Sequence, residues 1–448
     1  MKFNEDSRVK IPSILHLMQL GYKYLSLKDT HWDPSTNIFT DIFYGQLQKI
    51  NTNLSQKEAE RFYNEVSLTL ENEDLGRTFY KKLIDQSGVK LIDFENFENN
   101  SFHVVTELPY EKDEDNFRPD IILLINGMPL VFIEVKKPNN RDGVLAEHKR
   151  MQTRFQNKKF RKFINLTQLM VFSNNMQYND NDTQMLEGAF YSTTNYRKPI
   201  FNYFREEETF DLTKILSPVS EEEENFLLKD TNLVSIKNSK EFASNKSPNS
   251  ATNTISTSLF QKERLQFILQ YAFAYVEEEN GLEKHVMRYP QVFATKAIEN
   301  KLENGVKKGI IWHTQGSGKT ALAYFNVKHL TDYYQKKNII PKFYFIVDRI
   351  DLLNQAAKEF SARGLTVHKI SSREAFTKDI KSTNVIHNNS GKAEITAVNI
   401  QKFKDDPDVI KNNDYNLSVQ RIFFLDEVHR SYNPKGSFLA NLELADKH

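Results

Sequence analysis

A glycine-rich segment is the feature that most constrains what this sequence can fold into. Residues 314–320 are Thr-Gln-Gly-Ser-Gly-Lys-Thr, between the apolar run 309–312 and a predicted helix. Glycines let backbone N–H groups wrap around a phosphate, and a helix N-terminus attracts anions. Lys319 can then reach the β- and γ-phosphates of a nucleotide, and the Thr320 hydroxyl can bind Mg²⁺. A strand, this loop and a helix in that order predict a phosphate-binding loop on a parallel sheet.

An acidic segment after the apolar run 422–424 fits the same prediction. The glycine-rich loop and this acidic segment together resemble superfamily-two helicases, which implies that Asp426 holds Mg²⁺, Glu427 polarises the attacking water, and His429 couples the nucleotide site to a nucleic-acid site. His313 stands where the general loop has glycine, and this variant resembles the loop of superfamily-two helicases. The resemblance implies that ATP and Mg²⁺ are the cofactors.

The resemblance also implies a RecA-like motor lobe with a parallel sheet. We predict its strands at 309–312, 342–347, 395–398 and 421–425. Arg288 and Gln291 resemble an adenine-reading motif, although a polar helix start is the alternative. Arg349 and Gln401 lie where DNA-contacting motifs of such a lobe are expected. The nucleotide-binding set is Arg288, Gln291, Thr314, Gln315, Gly316, Ser317, Gly318, Lys319, Thr320, Asp426 and His429, with Thr320 and Asp426 as metal ligands.

A second group of chemically suited residues lies in the first third of the chain. Asp120 precedes the apolar run 121–125, and Glu134 and Lys136 end the run 130–135. Two carboxylates can share a divalent metal, and a lysine beside them can stabilise developing negative charge. Glu134 and Lys136 are two residues apart, so they share one face of a strand.

Asp120 reaches that face only if the two strands pair in a particular register. A two-residue turn at Asn126-Gly127 followed by regular pairing would put the two carboxylates on opposite faces. A three-residue loop at 126–128 sets Asp120 opposite Glu134. We therefore predict an odd-length loop or a β-bulge in this hairpin.

The sequence Pro119-Asp120, followed by Glu134-Val135-Lys136, resembles the PD-(D/E)xK nuclease motif. The resemblance implies a nuclease-like domain with a mixed sheet and flanking helices. It assigns catalysis to Asp120, Glu134 and Lys136, beside Glu427 in the motor lobe, and metal binding to Asp120, Glu134 and Val135. Glu5 is either an extra acid of the site or a surface charge.

Residues 141–162 form a basic segment with eight Lys or Arg and two Asp or Glu. Such a patch beside a nuclease site can hold DNA phosphates, and an ordinary solvated helix is the alternative. Related nucleases carry a Gln-x-x-x-Tyr motif on the following helix. Gln152 is followed by Gln156, so the pattern is not met, and Gln152 and Arg154 are the stand-ins considered. The predicted DNA contacts in this segment are Lys149, Arg150, Arg154 and Lys158.

Composition limits the other classes of function. Lys and Arg number 60 against 59 Asp and Glu, so any nucleic-acid site must be a local patch. The absence of cysteine excludes disulfides, a thiolate nucleophile and cysteine-bound metals. No apolar stretch approaches a membrane span, which favours a cytoplasmic protein. The predicted organisation is a nuclease-like domain at 1–237, a Ser/Asn/Thr-rich flexible linker at 238–258, and the first RecA-like lobe at 259–448.

The order of these motifs resembles the restriction (motor) subunit of type I restriction-modification enzymes. That family implies ATP-driven translocation on double-stranded DNA and Mg²⁺-dependent cleavage of unmethylated DNA. It also implies methyltransferase and specificity subunits as partners, with S-adenosylmethionine bound elsewhere in the complex. Two alternatives stay open: a stand-alone nuclease–helicase in DNA repair or phage defence, and a DNA-binding scaffold without activity.

The end of the sequence carries one further expectation. Nineteen residues follow His429, too few for the second lobe that supplies charge-stabilising arginines to such motors. We expect the chain to be part of a longer protein. Alone it would bind nucleotide weakly and lack DNA-stimulated turnover.

Overall fold

The computed structural model divides the chain into two compact units. One comprises Met1–Phe273 and Leu282–Tyr289, and the other comprises Ala274–Gly281 and Pro290–His448. The structure describes residues 5–138, 143–179, 187–314, 316–347, 349–370, 372–381, 393–399 and 419–426. Within these ranges, no helix combines the length and the apolar character needed to cross a bilayer.

The first unit is a mixed α/β structure that begins with a π-helical turn, Asp6–Lys10. Its helices are α1 Ile11–Gln19, α2 Thr40–Ile50, α3 Gln56–Thr69, α4 Arg77–Ile84, α5 Leu145–Gln156, α6 Arg161–Leu166, α7 Leu212–Ile215, α8 Glu221–Asp230, α9 Lys240–Asn245, α10 Ala251–Phe260 and α11 Lys262–Tyr271. Its strands are β1 Lys23–Tyr24, β2 Phe102–Thr106, β3 Tyr110–Lys112, β4 Asp115–Phe117, β5 Ile121–Ile125, β6 Met128–Val135, β7 Leu169–Ser173, β8 Ala189–Ser192 and β9 Asn202–Tyr203.

Seven of these strands form one mixed sheet in the order β1-β2-β5-β6-β7-β8-β9. β1 pairs parallel with β2, and β6 pairs parallel with β7, while the other neighbours are antiparallel. Every residue of β5, β6 and β7 is buried, as expected for central strands covered on both faces. The mixed sheet and the strands predicted at 121–125 and 130–135 are confirmed.

The predicted flexible linker at 238–258 is wrong. Residues 240–245 form α9, and the Ser- and Thr-rich stretch that follows forms α10, most of which is buried. Its hydroxyls are satisfied inside the fold: Ser256 donates to the carbonyl of Thr252 at 2.8 Å, and Thr257 Oγ1 lies 2.8 Å from His16 Nε2 on α1. Small side chains with hydrogen-bonded hydroxyls can pack closely, so low apolar content did not mean disorder.

The second unit contains a parallel sheet flanked by helices. Its helices are α12 Tyr289–Glu303, which starts at the boundary of the units, α13 Lys319–Gln335, α14 Ile350–Ala362 and α15 Arg373–Lys381. Strands β12 Ile340–Val347, β13 Thr366–Ile370, β14 Glu394–Asn399 and β15 Val419–Leu425 form a sheet in the order β13-β14-β12-β15. The remaining strands, β10 Phe273–Glu278 and β11 Gly281–Val286, lie in the segment that contributes residues to both units.

All neighbours in the four-stranded sheet are parallel, which confirms the predicted α/β architecture. The core on one side of the sheet includes Val327 of α13, Phe345 of β12 and Phe360 of α14, each at most 4% exposed. The predicted strands at 342–347, 395–398 and 421–425 are confirmed as parts of β12, β14 and β15.

The strand predicted at 309–312 is not formed. These residues have no regular secondary structure, and Ile310 and Trp312 are 85% and 90% exposed. An apolar run becomes a strand only when a neighbouring edge accepts its backbone hydrogen bonds. Among the described residues, this run pairs with none of β12 to β15.

The buried His16 gives a testable pH dependence of stability. Burial lowers the pKa of His16 to about 4, although hydrogen bonds partly raise it. Between about pH 6.5 and 4, the unfolded chain binds a proton that the folded chain does not, so stability falls as pH falls. The free energy of unfolding should decrease through this site by up to ~1.4 kcal/mol per pH unit.

Urea unfolding of the unchanged chain and of His16→Gln at several pH values measures this effect. Glutamine can still hydrogen-bond but cannot take up a proton, so the slope should be shallower in the variant. His31→Gln, at an exposed position, is the matched control. Equal slopes for His16→Gln and the unchanged chain would contradict this role of His16.

Candidate functional site

The hairpin of β5 and β6 contains a β-bulge beside a two-residue turn. Asn126 and Gly127 form the turn, both with left-handed backbone at φ 51° and 80°, as a type I′ turn requires. Leu123 pairs with Val131, but the next position of β5 pairs with residue 129, so Leu130 is an extra residue. The bulge shifts the register by one.

This register determines whether Asp120 and Glu134, the predicted acidic pair, lie on the same face of the sheet. Of the two predicted alternatives, the odd-length loop is not formed, because Ile125 pairs with Met128 across a two-residue turn. The alternative prediction, a bulge, is confirmed. Beyond it Ile121 pairs with Ile133, so Asp120 comes to the face of Glu134.

The three predicted catalytic side chains of the first unit meet at one ammonium group. Lys136 Nζ lies 3.0 Å from Glu134 Oε1 and 3.0 Å from the Val135 carbonyl oxygen. It also lies 3.6 Å from Asp120 Oδ2. That Asp120 oxygen accepts a hydrogen bond from the Val135 N–H at 2.9 Å, which fixes the carboxylate. The structure therefore brings together Asp120, Glu134, Val135 and Lys136.

Two more carboxylates approach the same ammonium. Glu5 Oε1 and Glu147 Oε1 each lie 3.7 Å from Lys136 Nζ. Glu5 also accepts a hydrogen bond from the Lys137 N–H at 3.2 Å, so it belongs to the cluster rather than to a remote surface. Glu147 is 1% exposed and also contacts the guanidinium of Arg150.

Sequence reasoning counted Glu147 only as a charge in the basic segment. A signal was present: Glu147, Met151 and Phe155 recur every four residues and share the buried face of α5. An acid on the apolar side of a basic helix needs a buried cationic partner. Lys136 is such a partner, but its proximity could not be read from the spacing.

Burial and charge together set the protonation of this cluster. Burial raises the pKa of the Glu134 carboxyl, and the neighbouring charge of Asp120 raises it further. Burial also raises the pKa of Asp120, against the opposing effect of Lys136. Burial alone would lower the pKa of Lys136, but the carboxylates of Glu134 and Asp120 outweigh it and raise this pKa. The lysine therefore stays charged at neutral pH.

The donor set of the cluster suits a hard divalent cation. Asp120, Glu134 and the Val135 carbonyl offer oxygen ligands of the kind that Mg²⁺ prefers. Glu134 Oε2 is buried and has no hydrogen-bond partner among the described residues. In this part of the chain, no group of three or more acidic or histidine side chains is arranged to enclose a metal by itself.

Two glycines of the glycine-rich segment have the left-handed backbone that a phosphate-binding loop uses. Gly316 and Gly318 have left-handed φ values of 76° and 84°, and α13 begins at Lys319. The Ser317 N–H donates to the Thr314 carbonyl at 3.2 Å. Thr320 follows Lys319 in the first turn of the helix. The loop is thus followed by the helix N-terminus, as predicted. The strand that was predicted before the loop is not formed.

Two more predicted nucleotide-site residues contact this loop. Gln291, which is 4% exposed, donates through Nε2 to the Gly318 carbonyl at 3.1 Å. Lys319 Nζ lies 4.0 Å from Asp426 Oδ1 at the end of β15. Arg288 belongs to the first compact unit, whereas Gln291 belongs to the second. Four predicted residues lie outside the described residues: Gln315, Gln401, Glu427 and His429.

The basic segment is more neutralised than its composition indicated. Lys158 Nζ lies 3.8 Å from Glu73, and Arg150 contacts Glu147. Arg154 is mostly buried, with its guanidinium carbon 4.5 Å from the centre of the Phe117 ring. Lys149 is exposed on α5. In the second unit, Arg349 is exposed at the start of α14, with Nε 4.0 Å from Asp351.

Comparison with known protein families gives two matches on different parts of the chain. The family described as "Type I restriction enzyme R protein N terminus" matches residues 2–184. The family described as "Type III restriction enzyme, res subunit" matches residues 284–445. The first match covers the Lys136 cluster and the second covers the glycine-rich loop.

Similar curated proteins carry matching descriptions. The type I restriction enzyme HindI endonuclease subunit of Haemophilus influenzae is 24% identical over 454 residues, covering 94% of this chain and 38% of that protein. The type I restriction enzyme SauMSSORF170P endonuclease subunit of Staphylococcus aureus is 22% identical over 448 residues, covering 96% of this chain and 40% of that protein. The chain thus spans about two-fifths of the length of these relatives. The chain is thus similar over nearly its whole length to R (endonuclease) subunits of type I restriction enzymes, and its mixed sheet and parallel sheet follow the order of the two family matches.

Proposed function

We propose that this chain supplies the DNA-cleaving site and the first ATP-binding lobe of a type I restriction endonuclease subunit. The observation that carries the proposal is the convergence of Asp120, Glu134 and the Val135 carbonyl on the Lys136 ammonium. The substrate is unmethylated double-stranded DNA, and the reaction is Mg²⁺-dependent cleavage coupled to ATP-driven translocation. The partners are methyltransferase and specificity subunits, in the cytoplasm.

In the cleavage site, Asp120, Glu134 and the Val135 carbonyl would hold Mg²⁺. A bound Mg²⁺ would supply a more acidic water molecule and positive charge beside the phosphate. Lys136 keeps its proton, because the surrounding carboxylates raise its pKa. It donates that N–H to a phosphate oxygen and stabilises the negative charge that develops there. The bulge at Leu130 supports this role, because without it the two carboxylates would lie on opposite faces.

In the motor site, the backbone N–H groups of the glycine-rich loop bind the phosphates of ATP. Lys319 neutralises the β- and γ-phosphates, and Thr320 and Asp426 hold Mg²⁺. The 4.0 Å separation of Lys319 and Asp426 supports a shared nucleotide site. Gln291 both contacts the loop carbonyl and offers an amide that can read adenine. We assign activation of the attacking water to Glu427.

The first prediction concerns cleavage in the complex assembled with methyltransferase and specificity subunits. Asp120→Ala and Lys136→Ala should each lower the rate of cleavage of unmethylated DNA by about 100-fold or more, because they remove a metal ligand and a charge stabiliser. ATP hydrolysis should continue, since Lys319, Thr320 and Asp426 lie in the other unit. The measurements are nicking of supercoiled plasmid and release of phosphate.

Glu73→Gln is the matched control, because it changes an exposed carboxylate that pairs with Lys158 instead of Lys136. Full cleavage by the Asp120→Ala complex would rule out the nuclease assignment. Cleavage that needs neither ATP nor the partner subunits would instead favour a stand-alone nuclease.

The second prediction concerns the motor. Lys319→Ala should weaken ATP binding or hydrolysis, because it removes the cation that faces the terminal phosphates. Glu427→Gln should permit binding but stop turnover. Cleavage of DNA should fall with either change if it depends on translocation. The exposed Lys336→Ala, near the other end of α13, serves as the control. Unchanged ATP hydrolysis in the Lys319→Ala complex would refute the phosphate-loop assignment.

A further inference from the structure

Lys136 occupies the position that a divalent cation needs in the proposed cleavage site. Its ammonium lies 3.0 Å from Glu134 Oε1, 3.0 Å from the Val135 carbonyl and 3.6 Å from Asp120 Oδ2. These are the oxygens proposed above as metal ligands. Two cations cannot share them without strong repulsion in a buried site. The ammonium must therefore move when a metal binds, and a charged lysine that leaves one carboxylate needs another.

Glu147 is placed to receive it. Its Oε1 lies 3.7 Å from Lys136 Nζ, so a shift of about 1 Å would give a charge-assisted hydrogen bond of ordinary length. Lysine makes such a shift easily, because its stem has four rotatable bonds. Glu147 Oε2 is buried and has no hydrogen-bond partner among the described residues, so the carboxylate has acceptor capacity left.

The other nearby acid is less suited to hold the lysine. Glu5 lies at the same distance, but its side chain is 30% exposed, whereas that of Glu147 is 1% exposed. An ion pair is stronger where water is excluded. Glu147 is also fixed on α5, and Arg150 contacts its Oε1 from the neighbouring turn. Glu5 lies at the start of the described chain and already accepts the Lys137 N–H.

We propose that Glu147 is a positioning residue that takes up the Lys136 ammonium when a divalent cation binds to Asp120 and Glu134. It keeps the lysine charged and beside the metal, where it can meet a phosphate. The inference deepens the proposed nuclease function and rests on it. This positioning role differs from that of a metal ligand, because Glu147 would contact the Lys136 ammonium and not the metal.

Calcium binding to the 448-residue chain tests this without cleavage. Glu147→Gln should weaken Ca²⁺ binding by about five-fold or more while Lys136 is present, because the displaced ammonium loses its acceptor. In the Lys136→Ala background, the same change should alter the affinity by less than about two-fold, since no ammonium must move. Lys136→Ala alone should bind Ca²⁺ more tightly than the unchanged chain. Isothermal titration calorimetry measures all four affinities.

Each other outcome is informative. Equal weakening in both backgrounds would make Glu147 a metal ligand, and no weakening in either would make it structural; both results overturn the inference. Glu73→Gln should leave the affinity unchanged. If Asp120→Ala also leaves it unchanged, the metal site of the proposed function fails, which is a different result from lost coupling. Should Glu147→Gln not fold, Glu147→Asp gives the same comparison, with the reach shortened by one methylene.

Discussion

A single extra residue in one strand determines the chemistry of the first unit. Leu130 interrupts the pairing of β5 with β6, so the register after the bulge differs by one from the register at the Asn126-Gly127 turn. Because side chains alternate faces along a strand, this one-residue shift decides whether Asp120 and Glu134 meet. The two-residue turn connects β5 and β6, and the bulge shifts their pairing by one residue. Together the two features place Asp120 on the face of Glu134.

Once these acids share a face, their charges must be balanced. Burial of carboxylates is costly, and it raises the pKa values of Asp120 and Glu134. Lys136 offsets that cost by contacting both acids, and Arg150 and Arg154 add positive charge from α5. The same contacts that stabilise the fold without a metal are the contacts a metal would use. In the proposed site, a divalent cation would take the place of Lys136 at these oxygens, and the displaced ammonium would need a second acceptor.

The sequence predicted those strands and shared strand faces that depend on local periodicity and on short spacings between residues. The strands β5, β6, β12, β14 and β15 follow from apolar runs, and the shared face of Glu134 and Lys136 follows from strand alternation. The need for a bulge followed from the same alternation, but its position did not, because a loop of three residues satisfies the same condition. Glu147 was missed because its partner is distant in sequence. The run at 309–312 was wrongly predicted as a strand. A strand needs a neighbouring strand to pair with, and the residues of the run alone do not show whether such a strand is available.

The segment wrongly predicted as a linker contains α10, which packs beside the proposed cleavage site. Thr252 of α10 contacts Ser173 through their hydroxyl oxygens at 2.8 Å. Ser173 ends β7, pairs with Val135, and accepts the Lys136 N–H on its carbonyl at 2.7 Å. A helix of small polar residues thus packs against the strand end that precedes Lys136. A larger apolar side chain at position 252 would remove the hydroxyl contact and press on β7, so the composition that resembled a disordered linker is what close packing at this strand end requires.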